Sequence, residues 1–365
     1  MKSYKWREVL SIVNGKNQKY VENPNGTYPI YGSGGIIGYA TDFLCPENSI
    51  ILGRKGSINK PIFVKEKFWN VDTAFGIIPN KNILLPLFLY YFCIFFNFEK
   101  LNTTVTIPSL TKSNLLDITI NIPDLKIQTK ITNILSKIDI IIYQKTVQLS
   151  KLDTLVKSRF IEMFGDPVKN PYNWTRSSLE HSIKFITSGS RGWSQYFSND
   201  GELFITIRNV KNSKIIFNEV QYIHPPKNAE AARTKVQEDD LLISITADLG
   251  RTGVVTKFIA EKGAYINQHL TCIRLDKSKL LPVFVSYFLE SPAGKKQFAQ
   301  KNQTGVKAGL NFDAIKSLQI FTPPLPLQEQ FAAFVQQVDK SKLAVKQSLE
   351  KLETLKKSLM QDYFG

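Results

Sequence analysis

The residues that usually carry covalent chemistry are scattered in this chain. His181, His224 and His269 lie far apart and show no ligand spacing. Cys45, Cys93 and Cys272 form no CxxC pair and no even-numbered framework, so free thiols in a reducing cytoplasm are expected. Residues 32–38 (GSGGIIG) are rich in glycine, but Ile37 stands where a dinucleotide fingerprint needs its third glycine. There is no P-loop and no HExxH. Asn170-Pro171-Tyr172 lacks one proline of the N-P-P-[YFW] tetrapeptide of amino-methyltransferases, and between two halves of a chain it reads as a turn. No nucleophile, metal site or cofactor site is proposed by these patterns, and the chain reads as non-enzymatic.

Groups suited to holding nucleic acid are better placed. Residues 50–60 (IILGRKGSINK) read as a strand followed by a glycine-punctuated basic loop with Arg54, Lys55, Ser57, Asn59 and Lys60. Arginine can read guanine bidentately and asparagine adenine, while lysine and serine suit phosphates. The matching loop in the second half, 246–253 (TADLGRTG), supplies Asp248 and Arg251. Asn70 and Thr73 precede one apolar strand, and Gln268 and His269 precede its counterpart. Tyr31, Ser33, Arg191, Arg208 and Asn209 are further polar candidates, and Lys307 lies on a loop before a predicted helix start at Asn311. A solvated turn is the plain alternative for each residue alone, and for Asp72 a turn cap.

Composition agrees with a polyanionic partner. The 365 residues suffice for two or three domains, and 43% of them are apolar, enough to fill real cores. Formal net charge is +16, while 24 Phe and 14 Tyr add stacking groups. A DNA-mimicking decoy would be acidic, so that class is disfavoured. No apolar leader is visible in MKSYKWREVL, and the apolar run 83–96 has 14 residues, against roughly 20 needed to span a bilayer. It reads as a buried helix beneath a sheet, and a cytoplasmic location is expected.

These candidates need elements to carry them, and the chain repeats its elements. Residues 128–165 and 328–365 align without a gap at a constant difference of 200 positions (328 − 128), down to Phe164-Gly165 and Phe364-Gly365. Upstream the difference drifts, from 174 at Gly15/Gly189 to 196 at Pro86/Pro282, so insertions fall in the globular parts. The repeated segment carries a heptad-like stripe. It runs through Ile131, Leu135, Ile138, Ile142, Leu149, Leu152 and Val156, and again through Phe331, Val335, Val338, Val345, Leu349, Leu352 and Leu359. Lys145 and Lys342 interrupt the two seams. About 36 residues would make a rod of roughly 55 Å, entered through prolines and stopped at a C′ glycine.

Short strands are predicted at 49–52, 62–64, 74–78, 204–207, 241–245 and 270–275, with 264–267 joining the last. The expected fold is α+β: two globular domains related by a pseudo-two-fold repeat, with mostly antiparallel sheets, joined by two long antiparallel helices in a coiled coil. The expected boundaries are 1–122 and 166–322 for the globular domains, and 123–165 and 323–365 for the helices.

The chain resembles the specificity subunits of type I restriction–modification systems. The resemblance rests on residues 28–40 (YPIYGSGGIIGYA), the GRKGS loop at 53–57, WNVDTAF at 69–75, DDLLISITADLGRTG at 239–253 and INQHLTCIRL at 266–275. It also rests on IPDLKIQTKI and PPLPLQEQF, which open the helices, and on the linker RFIEMFGDPVKNPYNW. It covers essentially the whole chain. It implies two target-recognition domains, each reading half of an asymmetric, split site on double-stranded DNA in the major groove. It implies helices that set half-site spacing and bind two methyltransferase subunits, with restriction–translocase subunits attached through these. S-adenosylmethionine is then expected on the methyltransferase subunits and ATP on the motor subunits, none on this chain and no membrane. Ile138, Leu149, Leu152, Val156, Phe164, Val338, Leu349, Leu352, Leu359 and Phe364 are the expected packing or subunit-interface residues, and the methyltransferase subunits would sit on the outer faces of the helices, with the ends near Phe164 and Phe364. A one-chain DNA-modifying enzyme and a coiled-coil scaffold remain as alternatives.

Overall fold

The computed structural model describes residues 1–102, 107–217, 219–302 and 309–365. The chain divides into two compact units, Met1–Gln148 with Val345–Gly365, and Leu149–Ala344. Each unit owns one globular domain, the N-terminal part of one 40-residue helix and the C-terminal part of the other.

In the first unit the order is β1 (Lys2–Lys5), α1 (Trp6–Val9), β2 (Leu10–Asn14), β3 (Tyr28–Gly32), β4 (Gly35–Ala40), β5 (Ser49–Gly53) and β6 (Ile62–Val64). β7 (Trp69–Asn70), β8 (Ala74–Pro79), α2 (Pro86–Phe95), α3 (Lys112–Leu116), β9 (Thr119–Ile122) and α4 (Leu125–Phe164) follow. An antiparallel sheet runs β2-β8-β5-β6, a second runs β4-β3-β7, and β1 pairs with β9. β5 is buried at every position, which is why SIILG reads as an apolar run rather than an alternation. α2 starts on Pro86 and sends Phe88, Leu89, Tyr91 and Phe92 into the core, as expected of a buried helix. That core also takes Ile131 and Leu135 from α4 and Met360 from the last helix.

The second unit repeats the plan with insertions. It contains β10 (Arg176–Ser178), β11 (Ile183–Ser188), β12 (Phe197–Ser198), β13 (Glu202–Ile205), the hairpin β14 (Val210–Lys211) and β15 (Lys214–Ile215), and β16 (Gln221–Ile223). Then come α5 (Ala229–Thr234), β17 (Leu241–Ser244), β18 (Thr252–Val254), α6 (Lys257–Lys262), β19 (Ala264–Ile266), β20 (Leu270–Leu275) and α7 (Pro282–Glu290). α8 (Pro292–Lys301), α9 (Phe312–Lys316), β21 (Gln319–Phe321) and α10 (Leu325–Phe364) complete it. The sheets are β11-β20-β17-β18 and β12-β16-β13-β19, with the pairs β10-β21 and β14-β15.

The expected α+β class with mostly antiparallel pairing is what forms. The exceptions are the parallel pairs β3/β7 and β13/β19, which occupy equivalent places in the two units. Here one expectation is corrected: residues 264–266 do not join β20 but add to β13 in the other sheet. β13 accepts them because the edge bonds continue past the strand, with Leu203 N donating to Gly263 O and Asn267 N to Ile205 O. Gly15 and Gly189 share a reason for being glycine: a Cβ would lie 1.8 Å from Val71 O in one unit and 2.1 Å from Asn267 O in the other.

Both long helices cross from one unit to the other, and within each unit they pack antiparallel. In the first unit Lys356 donates to Asp139 while Leu135 and Met360 share a core. In the second, Lys342 pairs with Asp153 while the rings of Phe160 and Phe331 meet at 5.3 Å. Lys342, which breaks the apolar stripe, is only 9% exposed, and its partner on the other helix accounts for it. Ile138, Val156 and Val338 are buried, whereas Leu149, Leu152, Leu349, Leu352 and Leu359 are half-buried. Gly165 ends α4 with φ 77°, as a C′ glycine should. At the helix ends Phe164 is fully buried against Phe160, Phe284 and Phe331, and half-buried Phe364 packs on Phe88 at 5.0 Å, so both serve helix packing.

One side chain sets each helix on its domain. Gln128 is buried; its Oε1 accepts from Leu85 N at 2.8 Å, and its Nε2 donates to Ile83 O and Pro123 O, each at 2.8 Å. Gln328 does the same: Leu281 N at 2.9 Å, Lys279 O at 3.2 Å and Pro323 O at 2.9 Å. Gln328→Ala strips three backbone groups, one buried and two part-buried, of this partner. The expected cost is about 2–4 kcal/mol in urea unfolding. Hydrogen exchange at the Leu281 amide should accelerate with it, and unchanged protection there would show that the clamp is dispensable.

Candidate nucleic-acid interface

In the first unit, three loops converge at one end of the sheets. The amides of Arg54 and Lys55 both donate to Thr73 O, at 2.8 and 3.3 Å. Leu110 N donates to Arg54 O at 2.9 Å and Gly56 N to Pro108 O at 3.0 Å, while Lys55 and Ser109 form an isolated bridge. The backbone of the loop is therefore pinned on both sides while Arg54, Lys55 and Lys60 remain exposed. Ser33 and Ser57 are half-buried beside them, the Ser33 Cβ and Ser57 carbonyl both lying against Gly53. Arg54 leans over the Phe75 ring at 5.9 Å, which fixes the guanidinium stem without covering its donors.

Not every candidate faces solvent. Tyr31 is buried edge-on against Phe68 at 5.6 Å, and burial pushes its phenol up from the usual value. Asn70 is 0% exposed; its amide donates to Ala74 O at 3.0 Å and Val13 O at 3.4 Å, holding β7 onto the neighbouring strands. Asn59 is exposed, but its Oδ1 accepts from Phe98 N at 2.8 Å and its Nδ2 donates to Asn97 at 3.1 Å. Tyr31, Asn70 and Asn59 are thus corrected from base-reading candidates to scaffold: Tyr31 is buried, Asn70 bonds backbone carbonyls inside the protein, and Asn59 bonds Phe98 N and Asn97. Thr73 is half-buried and serves the loop through its carbonyl.

The second unit builds the same corner with different side chains. Ile245 N donates to His269 O and Leu310 N to Ile245 O, each at 3.0 Å, and Thr246 bridges to Gly309 as Lys55 does to Ser109. His269 Nδ1 lies 2.7 Å from Thr246 Oγ1, and its Nε2 lies 3.3 Å from the Gln268 amide nitrogen. Asp248 and Arg251 pair with each other across the loop, and Ser244 Oγ accepts from Arg251 N at 2.8 Å. Arg191 is exposed, next to Ser190, which bridges Asn267. Arg208 is exposed and faces Glu219 at 3.6 Å. Asn209 is buried: its Oδ1 accepts from Thr206 N at 2.9 Å and its Nδ2 donates to Ile216 O at 3.0 Å, so it too is scaffold. Lys307 lies outside the described residues.

Sequence reasoning missed Ser109, Asn267, Phe197 and Gln221, which the fold brings to these corners. Only the position of Asn267 beside Gln268 and His269 offered a signal. Among the described residues no group of three or more His, Cys, Asp or Glu is placed to hold a metal ion, and no helix is long and apolar enough to cross a membrane. Asn70→Ala and Asn209→Ala should each destabilise their own unit by about 1–3 kcal/mol in denaturant titration. Lys55→Ala, on an exposed side chain, should leave the midpoint unchanged within about 0.5 kcal/mol.

The comparisons with known proteins agree on one family. A family model described as the type I restriction modification DNA specificity domain matches residues 1–151 and 197–355. The type I restriction enzyme EcoBI specificity subunit of Escherichia coli is 21% identical over 225 residues, 60% of this chain and 47% of that protein. The chain thus spans about half the length of this relative. A putative type I restriction enzyme specificity subunit of Haemophilus influenzae is 24% identical over 97% of this chain and 88% of its own length. The crystal structure of a type I restriction–modification system S subunit from M. genitalium superposes with a TM-score of 0.63 at 15% identity, covering 100% of this chain and 96% of that one, which shows a shared fold. With a repeated α+β unit, a repeated helix and the family model on both halves, the chain belongs to the type I restriction modification DNA specificity domain family.

Proposed function

We propose that the chain is the DNA-reading subunit of a type I restriction–modification complex and carries out no chemistry itself. The observation that carries this reading is the corner formed twice: a loop whose backbone is tied down on both sides and whose polar and charged side chains are exposed or half-buried at the surface. Preset loops lose little entropy on binding, so their contacts act as readers rather than as adaptable tethers. The net charge of +16 supplies the salt-dependent attraction to phosphates. In the first unit Arg54, Lys55, Lys60, Ser33, Ser57 and Thr73 form the reading set; in the second it is Arg191, Arg208, Asp248, Arg251, Gln268 and His269. The two sets differ in chemistry, so the half-sites differ and the whole site is asymmetric. Each set enters the major groove, and the long helices fix the spacing of the half-sites.

The helices also offer apolar side chains to partners. Ile140 and Tyr143, one turn apart on α4, are 55% and 70% exposed in the first unit, and Leu343 is 58% exposed in the second. In this reading they seat two methyltransferase subunits, with restriction–translocase subunits joined through those. S-adenosylmethionine is then held by the methyltransferase subunits and ATP by the motor subunits.

Single-molecule methylome sequencing of a host expressing this chain with its neighbouring methyltransferase tests the reading. Adenine methylation at one split motif is expected, absent when this chain is deleted; methylation by this chain alone would overturn the non-catalytic assignment. Replacing the first globular domain by that of a relative should change one half of the motif only. Ile140→Lys with Tyr143→Lys should abolish co-purification with the methyltransferase while leaving the unfolding midpoint in place. Lys55→Ala with Lys60→Ala should weaken binding to all sequences and lower the slope of log affinity against log salt by roughly 2.

A further inference from the structure

A cleft opens in the second unit beside β13 and β16. It measures about 380 Å³ and is lined by Phe197, Thr206, Arg208, Gln221, Asn267 and His269, with Val220 and Glu219 beside them. Its floor is rigid, because buried Asn209 holds Thr206 through both N and Oγ1 and reaches the carbonyls of Ile216 and Glu219. One wall is His269, fixed between Thr246 and Gln268 and tied through its backbone N to Asn267 Oδ1 at 3.2 Å. The cleft therefore adjoins the pinned loop that carries Asp248 and Arg251.

The lining chemistry fits a base pair seen from its edge. Gln221, half-buried in the cleft lining, donates one amide hydrogen to Tyr222 O at 3.0 Å, which orients the group and leaves it a second hydrogen and Oε1. An amide set this way matches N6 and N7 of adenine. Phe197 and Val220 are apolar yet 43% and 40% exposed, the surface that the methyl group of thymine would cover. Arg208 and Glu219 stand at the mouth, both 83% exposed and 3.6 Å apart. So open a pair contributes little to stability, and Arg208 can exchange its partner for a phosphate. In the first unit the chain passes from β3 through Ser33 and Gly34 directly into β4, and the turn that builds the cleft floor does not form.

Building on the DNA-reading function proposed above, we infer that this cleft reads one A·T pair of the second half-site, with Gln221 on adenine, Phe197 against the thymine methyl group and Arg208 on the adjoining phosphate. The test uses the complex of full-length chain and methyltransferase, with duplexes carrying its methylome-defined motif. Deoxyuridine replaces thymine at each position of the second half-site in turn. Deleting the methyl group should weaken binding roughly five- to tenfold at one position for the wild-type chain and have no effect there for Phe197→Ala. Gln221→Ala should relax the same position in the methylome and leave the first half-site intact. Uniform tolerance of deoxyuridine by the wild type, or a Gln221→Ala motif identical to wild type, would overturn the inference while the split motif itself stands. Absence of any motif with the wild-type chain would instead overturn the DNA-reading assignment beneath it.

Discussion

Gln128 and Gln328 sit where the loop before a buried helix meets the first turn of a 40-residue helix, and both are sealed from solvent. Each satisfies one amide N–H and two carbonyls of that junction with a single side chain. No apolar residue can do this, and a carboxylate would bring a charge into a dry site and lose the donor. The clamp ties the long helix to the start of α2 in one unit and to the start of α7 in the other.

The same economy explains why the two repeats could diverge. What must be kept is the joint: the glutamine, the phenylalanine that plugs the helix end into the core, and the glycine that lets one turn approach another. What may vary is whatever hangs from the pinned loops. The aspartates at equivalent positions show the limit. Asp139 takes Tyr91 and Lys356, whereas Asp339 takes Lys214 from the inserted hairpin, whose ammonium is pulled down by desolvation. An ion pair at the helix seam is retained in both units although the residue supplying the cation has moved.

Hydrogen bonding also separates exposed polar side chains from scaffold. Asn70 and Asn209 are the residue type that reads adenine best, and both are spent on backbone groups inside the protein. Lys55, Arg54 and Arg208 keep their heads exposed, Arg54 beside the Phe75 ring and Arg208 beside Glu219. Residue type alone is a poor guide in a two-layer sheet domain, where every loop must also close its own backbone.

The sequence by itself determined the duplication, the shared register of the two helices, the C′ glycine at Gly165 and the buried helix at 86–95, because each depends on local periodicity or on an identity repeated at fixed spacing. It also located the basic loops, since a glycine-punctuated run between apolar strands has few other readings. Only the tertiary structure decided that residues 264–266 pair with β13 rather than β20, that Phe164 points into a core, and that Phe197 and Gln221 share a cleft with His269. Those facts depend on contacts between segments tens of residues apart. A strand's partner and an asparagine's obligations are set by which backbone groups would otherwise be left dry and unpaired, and that is a property of the assembled fold.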